Sequence, residues 1–130
     1  GSVGALDMVN FWAKETVPDK YKHRLLHAHN ANVTLMRTTA EELVQIAEWI
    51  CGKLNRSKGP VRMLLPEGGV SAMDAPGQKF HDPEARKTLF EAFEHNFKAS
   101  KTHRLIRCPF HINDEEFVVA VERQVREVIS

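Results

Sequence analysis

The sequence predicts an α/β fold, a three-layer α/β/α lobe with a mostly parallel central sheet. Short apolar runs bounded by glycine and proline alternate with longer segments whose apolar residues recur at helical spacing, the order that builds βα units. The run between Gly59-Pro60 and Pro66 carries Val61, Met63, Leu64 and Leu65, so it is apolar on both alternating faces, as a strand buried within a sheet requires. Capping residues stand where the helical patterns begin.

Taken in order, Val3 to Phe11 is an apolar run with one Asp and one Asn and reads as a short strand. Val17-Pro18-Asp19 marks a turn, after which the basic run Lys20 to Arg24 leads into Leu25-Leu26, a second short strand that empties into His27-Ala28-His29-Asn30. Thr39 and Glu42 have capping-box spacing, and Leu43, Ile46, Ala47, Ile50, Cys51 and Leu54 follow at helical intervals, with Gly52 a mild fault. The Val61 strand then breaks into a long polar loop, Glu67 to His81. Asp82 supplies an N-cap acceptor and Pro83 fits the first helical position of a helix reaching about Lys98, with Leu89, Phe93 and Phe97 as its buried stripe. His103 to Cys108 is a strand around Leu105 and Ile106. Asn113 with Glu116 makes a further capping box, and Phe117, Val121, Val125 and Val128 line one face of the last helix. Right-handed crossovers would gather the loops after the strands on one edge of the sheet, where ligands sit in α/β folds.

With 130 residues, the chain is one domain. Eighteen basic against seventeen acidic residues leave a net charge of +1, which gives no pull toward nucleic acid or membrane. Lys20, Lys22, His23 and Arg24 enclose a single aromatic, Tyr21, and read as a solvated face rather than a nucleic-acid surface. No apolar run approaches the ~20 residues of a membrane helix, and no signal peptide opens the sequence. Cys51 and Cys108 have neither zinc nor redox-pair spacing, which suggests a reducing, cytoplasmic setting. Seven histidines would make the protein more basic in acid. Gly1-Ser2 is either native or a cloning scar, and the abrupt start at GALDMV looks like a piece of a larger protein.

Several constellations could carry chemistry. Glu67-Gly68-Gly69-Val70-Ser71 could fold its amides into an anion-binding nest beside the Ser71 hydroxyl, although a tight turn needing positive φ would use the same glycines. The loop is neither a P-loop nor a Rossmann fingerprint. His27 and His29, alternate residues that could face one side, are metal candidates together with His81, His111, Asp74, Asp82 and Asp114. The competing reading has the two histidines bonding loop carbonyls while Asp82 and Asp114 serve helix starts. Ser71 lacks the following glycine of a nucleophile elbow. Asp74 and His81 are better placed for proton transfer, or else shape a long loop. Arg37, ahead of Thr38-Thr39, could clamp an anion at a helix start or pair with Glu41 on the surface.

Four segments, GALDMVNF, HAHNANVTLMRTTAEE, LLPEGGVSAMDAPGQKFHDPEA and HINDEEF, span nearly the whole chain in order. In them the sequence resembles the carboxy-terminal half of the tomato mosaic virus resistance protein-like ATP-binding family, an uncharacterised protein family of bacteria, fungi and plants. The resemblance implies a two-lobed α/β protein that binds ATP, sometimes fused to a barrel domain similar to phosphoenolpyruvate-handling enzymes. The partner of residues 1–130 would then be the amino-terminal lobe of the same protein, and a homo-oligomer stays open. On the resemblance, His29, Asn30, Arg37, Thr38, Gly68, Gly69 and Ser71 would hold the nucleotide or small-molecule ligand. Two rival functions follow. One is an enzyme acting on a small carboxylated or phosphorylated metabolite, metal-assisted or not, with Asp74, His81 and His111 moving protons. The other is a protein-interaction module, like the family's plant inhibitor of tobamovirus RNA replication.

Overall fold

The computed structural model describes all 130 residues as a mixed α/β fold. Its strands are β1 (Met8–Phe11), β2 (Leu26–Asn30), β3 (Val33–Arg37), β4 (Val61–Pro66) and β5 (His103–Cys108). Its helices are α1 (Ala40–Leu54), α2 (Pro83–Asn96) and α3 (Glu115–Ile129), and two short 3-10 turns lie between β1 and β2.

The strands form two sheets, and this corrects the expectation of one mostly parallel sheet. β1, β3 and β2 lie side by side in that order, antiparallel, with Met8 opposite Arg37 and Leu26 opposite Met36. Only β4 and β5 pair in parallel, from Val61 opposite His103 to Pro66 opposite Cys108. The antiparallel unit follows from chain length. Two residues, Ala31-Asn32, separate β2 from β3, enough for a hairpin but far short of a parallel crossover. Asn30 ties that hairpin, its Oδ1 accepting the Asn32 amide at 2.8 Å. The segment HAHN therefore lies inside a strand rather than in a loop after one, and β3 is a strand where the sequence reading had none. Val3 to Asp7 is likewise outside β1, turning through Ala5 at φ 57°.

β4 is flanked on both sides, as its apolar run requires. Beyond its pairing with β5, it receives Ser2 in a parallel bridge at Leu64, whose amide donates to the Gly1 carbonyl at 2.9 Å. Its side chains divide between two apolar clusters. Val61, Met63 and Leu65 join Leu43, Ala47, Leu89 and Phe93 of α1 and α2, whereas Leu64 packs with Cys108 and Phe117 on the α3 side. Full burial of Leu89 or Phe93 is worth about 1.5–3 kcal/mol each. Cys51 and Cys108 are free thiols in different clusters, and burial pushes the pKa of both up.

The first two helix starts are as expected. The Thr39 amide donates to Glu42 Oε2 at 2.9 Å and the Glu42 amide to Thr39 Oγ1 at 3.2 Å, a complete capping box. Asp82 Oδ1 accepts the Ala85 amide at 3.0 Å, with Pro83 opening the helix. The third start is a correction. α3 has Asp114, not Asn113, at its N-cap, and no side chain caps it, because the Asp114 carboxylate accepts the His111 amide at 2.7 Å instead. Along α3, Phe117 is buried but Val125 and Val128, expected on the buried face, are exposed. No helix is long and apolar enough to cross a membrane.

Candidate functional site

A buried polar cluster ties the antiparallel sheet to the loop after β4. Arg37, the last residue of β3 and only 7 % exposed, donates from Nε to the Phe80 carbonyl at 3.0 Å. Its Nη1 reaches Thr38 Oγ1 at 3.3 Å and the Asp7 carbonyl at 3.4 Å, while Nη2 has no partner within the chain. Thr38 is spent on structure, its hydroxyl donating to the Leu6 carbonyl at 2.8 Å. Arg37 therefore does not pair with Glu41. The surface ion pair on this side is Arg24 with Glu42, both nitrogens of the fork engaged at 3.0 and 2.8 Å. That fork holds the Glu42 carboxyl below its usual range, and burial opposes it.

Asp7 is the residue that sequence reasoning missed. It is buried just before β1, and its Oδ2 accepts the Ser71 hydroxyl at 2.6 Å while Oδ1 has no partner. Burial raises its pKa; the Ser71 bond and the Arg37 charge pull the other way, and Asp74 adds to the rise. One acid in an apolar run was its only signal in the sequence. Ser71 also accepts the Met73 amide at 3.1 Å, so its hydroxyl orders the loop as well as Asp7.

Asp74, fully buried, anchors the loop. Its Oδ2 accepts the Val70 amide at 3.1 Å, and its Oδ1 accepts Arg86 Nη1 of α2 at 2.8 Å. His81 Nδ1 lies 3.7 Å from the same oxygen, near enough to feel the charge but not hydrogen-bonded. His111 is different, because both of its ring nitrogens are occupied. Nε2 faces the Ser71 carbonyl at 2.9 Å and must donate, while Nδ1 accepts the Asn113 amide at 3.0 Å. That fixes a neutral tautomer which pins the loop after β5 to the loop after β4.

The proposed nest at Gly68-Gly69 is filled from within. The Glu67, Gly68 and Gly69 amides donate to the carbonyls of Cys108, Phe110 and Pro66, and the Val70 amide to Asp74. The glycines instead allow close approach. A Cβ at Gly68 would stand 2.5 Å from the His111 nitrogen, and one at Gly69, where φ is +141°, would overlap the Asp74 carbonyl oxygen.

The predicted residues thus converge in part. Arg37, Ser71, Asp74 and His81 share one cluster, and Gly69 and His111 adjoin it through a parallel bridge. His27 touches this region through the Phe80 ring, with centroids 6.4 Å apart. His29 and Asn30 are exposed on the hairpin. The His27 and His29 rings do face one side, 6.3 Å apart, but no third ligand joins them, and nowhere do three His, Cys, Asp or Glu side chains gather as a metal set. Asp82 and Asp114 hold backbone amides.

Comparison with known proteins matches residues 1–129 to the family described as "Uncharacterised protein family (UPF0261) C-terminal domain". The chain is 56% identical over 130 residues to a UPF0261 protein of Rhizobium meliloti, covering all of this chain and 33% of that protein. It is 44% identical over 127 residues to the ToMV resistance protein Tm-1(GCR237) of Solanum lycopersicum, covering 98% of this chain and 17% of the relative. The ToMV susceptible protein tm-1(GCR26) of the same plant is 45% identical over 120 residues, covering 92% and 16%. The chain spans about a third of the length of the first curated relatives it matches. It belongs to the UPF0261 family, in which it corresponds to the carboxy-terminal domain.

Proposed function

We propose that this domain binds a small phosphate-bearing anion, with ATP the leading candidate, where Arg37 meets the start of α1. The observation that carries this reading is the state of Arg37. Two guanidinium nitrogens are fixed by the chain and the third is unused, so the group is pre-organised for a charge-assisted contact to an anion. The neighbouring helix start supports it. The capping box uses the Thr39 and Glu42 amides, and helix geometry leaves those of Ala40 and Glu41 without intrahelical acceptors. With the Gly68-Gly69 amides engaged internally, the anion contact moves from that loop to Arg37. In the longer protein, the helices on both faces of β4 would complete the three-layer lobe.

Calorimetric titration tests the reading. ATP, ADP and inorganic phosphate are titrated into the longer protein and into residues 1–130, each as wild type and as Arg37→Lys. The variant keeps the charge but loses the fork, and one charge-assisted contact at about 1.5–3 kcal/mol corresponds to a loss of roughly 10- to 100-fold in affinity. The domain alone should bind more weakly than the longer protein if the other lobe supplies further contacts to the anion. Identical binding by wild type and a folded Arg37→Lys variant, or no binding to the longer protein, would overturn it.

One observation favours an enzyme as the second reading. The partly exposed His81 ring stands 3.7 Å from the Asp74 carboxylate, and neither of its nitrogens has a hydrogen-bond partner in the chain, so the ring is uncommitted, as a general acid-base requires. Turnover of a small carboxylated or phosphorylated metabolite, lost in His81→Asn with fold retained, would support it. The interaction reading gains little from the plant names, because the resistance and susceptible proteins resemble this chain almost equally.

A further inference from the structure

A groove of about 360 Å³ runs between α3 and the Gly1-Ser2 stretch that borders β4. Leu64, Val121, Val125 and Val128 give it an apolar lining, and Ile129 beside them is 76 % exposed. Two polar atoms buried in that lining have no partner, Gln124 Oε1 on a side chain only 9 % exposed and Arg62 Nε. Part of each group is engaged. Gln124 Nε2 donates to Glu127 at 3.3 Å, and Arg62 Nη1 donates to the Val61 and Thr102 carbonyls, both at 3.0 Å. Arg62 Nε lies 3.9 Å from Glu127 Oε2, beyond hydrogen-bond reach.

An orphaned acceptor and an orphaned donor are thus set against valines in one groove. A purely apolar ligand would leave both atoms unpaired, and an ion would leave the valines uncovered. A polypeptide segment meets both needs, since its backbone presents N–H and C=O groups while its side chains fill the apolar floor. Gly1-Ser2, paired with β4 on one side only, is a sheet edge at which such a segment can lie. The relatives contain this polypeptide, because the chain matches a carboxy-terminal domain and covers 33% and 30% of the first two. We propose that the amino-terminal part of the longer protein packs into the α3 groove, donating to Gln124 Oε1 and accepting from Arg62 Nε. The proposal rests on the family assignment and is independent of the phosphate reading.

The test uses the longer protein with a benzophenone amino acid in place of Val128, and a control with it in place of Glu91, an exposed position on α2. The probe at 128 should cross-link within its own chain to a peptide preceding residue 1, and the control should not. A cross-link to a second copy, seen as doubled mass, or the absence of any cross-link would overturn the proposal. A second measurement replaces Val125 and Val128 by Asp together. Because both are exposed on this domain, the change spares its core, but in the longer protein it should speed hydrogen exchange across residues 118–129 by roughly tenfold or more. Unchanged exchange would show that the groove faces solvent.

Discussion

Gly69 shows how much one residue without a side chain can carry. Its φ of +141° and the collision a Cβ would make with the Asp74 backbone mean that Gly69→Ala must break the contact between the loops after β4 and β5. The expected cost is about 2–4 kcal/mol in urea denaturation. Gly77, at φ +81° but with open space around it, should cost only about 1–2 kcal/mol on the same change. The glycine pair was legible as a special backbone. Its purpose was not, because the amides' partners, Cys108, Phe110 and Pro66, are supplied largely from forty residues away. Asp7 makes the same point through charge. Its pKa is raised, so its contribution to stability is present below the unfolded value near 3.8 and is lost as pH rises through the folded value. Relative to wild type, Asp7→Asn should therefore gain stability as pH increases from 3.8, and denaturation midpoints measured across that range would show it. Glu42 runs oppositely: its lowered pKa gives stability present above 4.5 and lost as pH falls through the folded value, a dependence Glu42→Gln should flatten.

Among the elements, helices were legible and the hairpin was not. The Thr39–Glu42 box and the Asp82-Pro83 start are local codes, read within four residues, and the structure keeps both. Asp82→Ala should cost about 1 kcal/mol through the lost Ala85 amide bond. Asn113→Ala, despite its capping-box spacing, should stay within about 0.5 kcal/mol, since the side chain of Asn113 caps nothing. Thermal or urea unfolding of the two variants side by side separates these outcomes. β3 escaped because it is the central strand of its sheet and is buried on both faces while holding Thr34 and Arg37. Those polar residues mimic a loop leading into a helix. The turn before it, Ala31-Asn32, has no glycine to announce a hairpin.

At the scale of the molecule, the two sheets are held in different ways. None of the buried residues in the two apolar clusters comes from β1, β2 or β3. Beyond the contact of the His27 ring with Phe80, the antiparallel sheet is tied to the rest by polar contacts, Arg37 to the Phe80 carbonyl, Ser71 to Asp7, Thr38 to Leu6 and Arg24 to Glu42. Apolar packing thus makes one cooperative unit of α1, α2, β4 and β5, and the hairpin sheet should open from it at lower free energy. Native-state hydrogen exchange with two variants tests this. Phe93→Ala removes a fully buried ring between α1 and α2, and should lower global stability by about 3–5 kcal/mol. Protection in α1, α2 and β4 should fall together, while β2 amides, exchanging through local opening, should change little unless global unfolding becomes easier than that opening. Arg37→Lys should do the reverse, loosening β1 and β3 and sparing β4. Parallel loss in both sheets from either variant would instead mean that the Arg37 and Asp7 contacts couple the sheets as firmly as a core, and the candidate site would then be a structural joint of the whole domain.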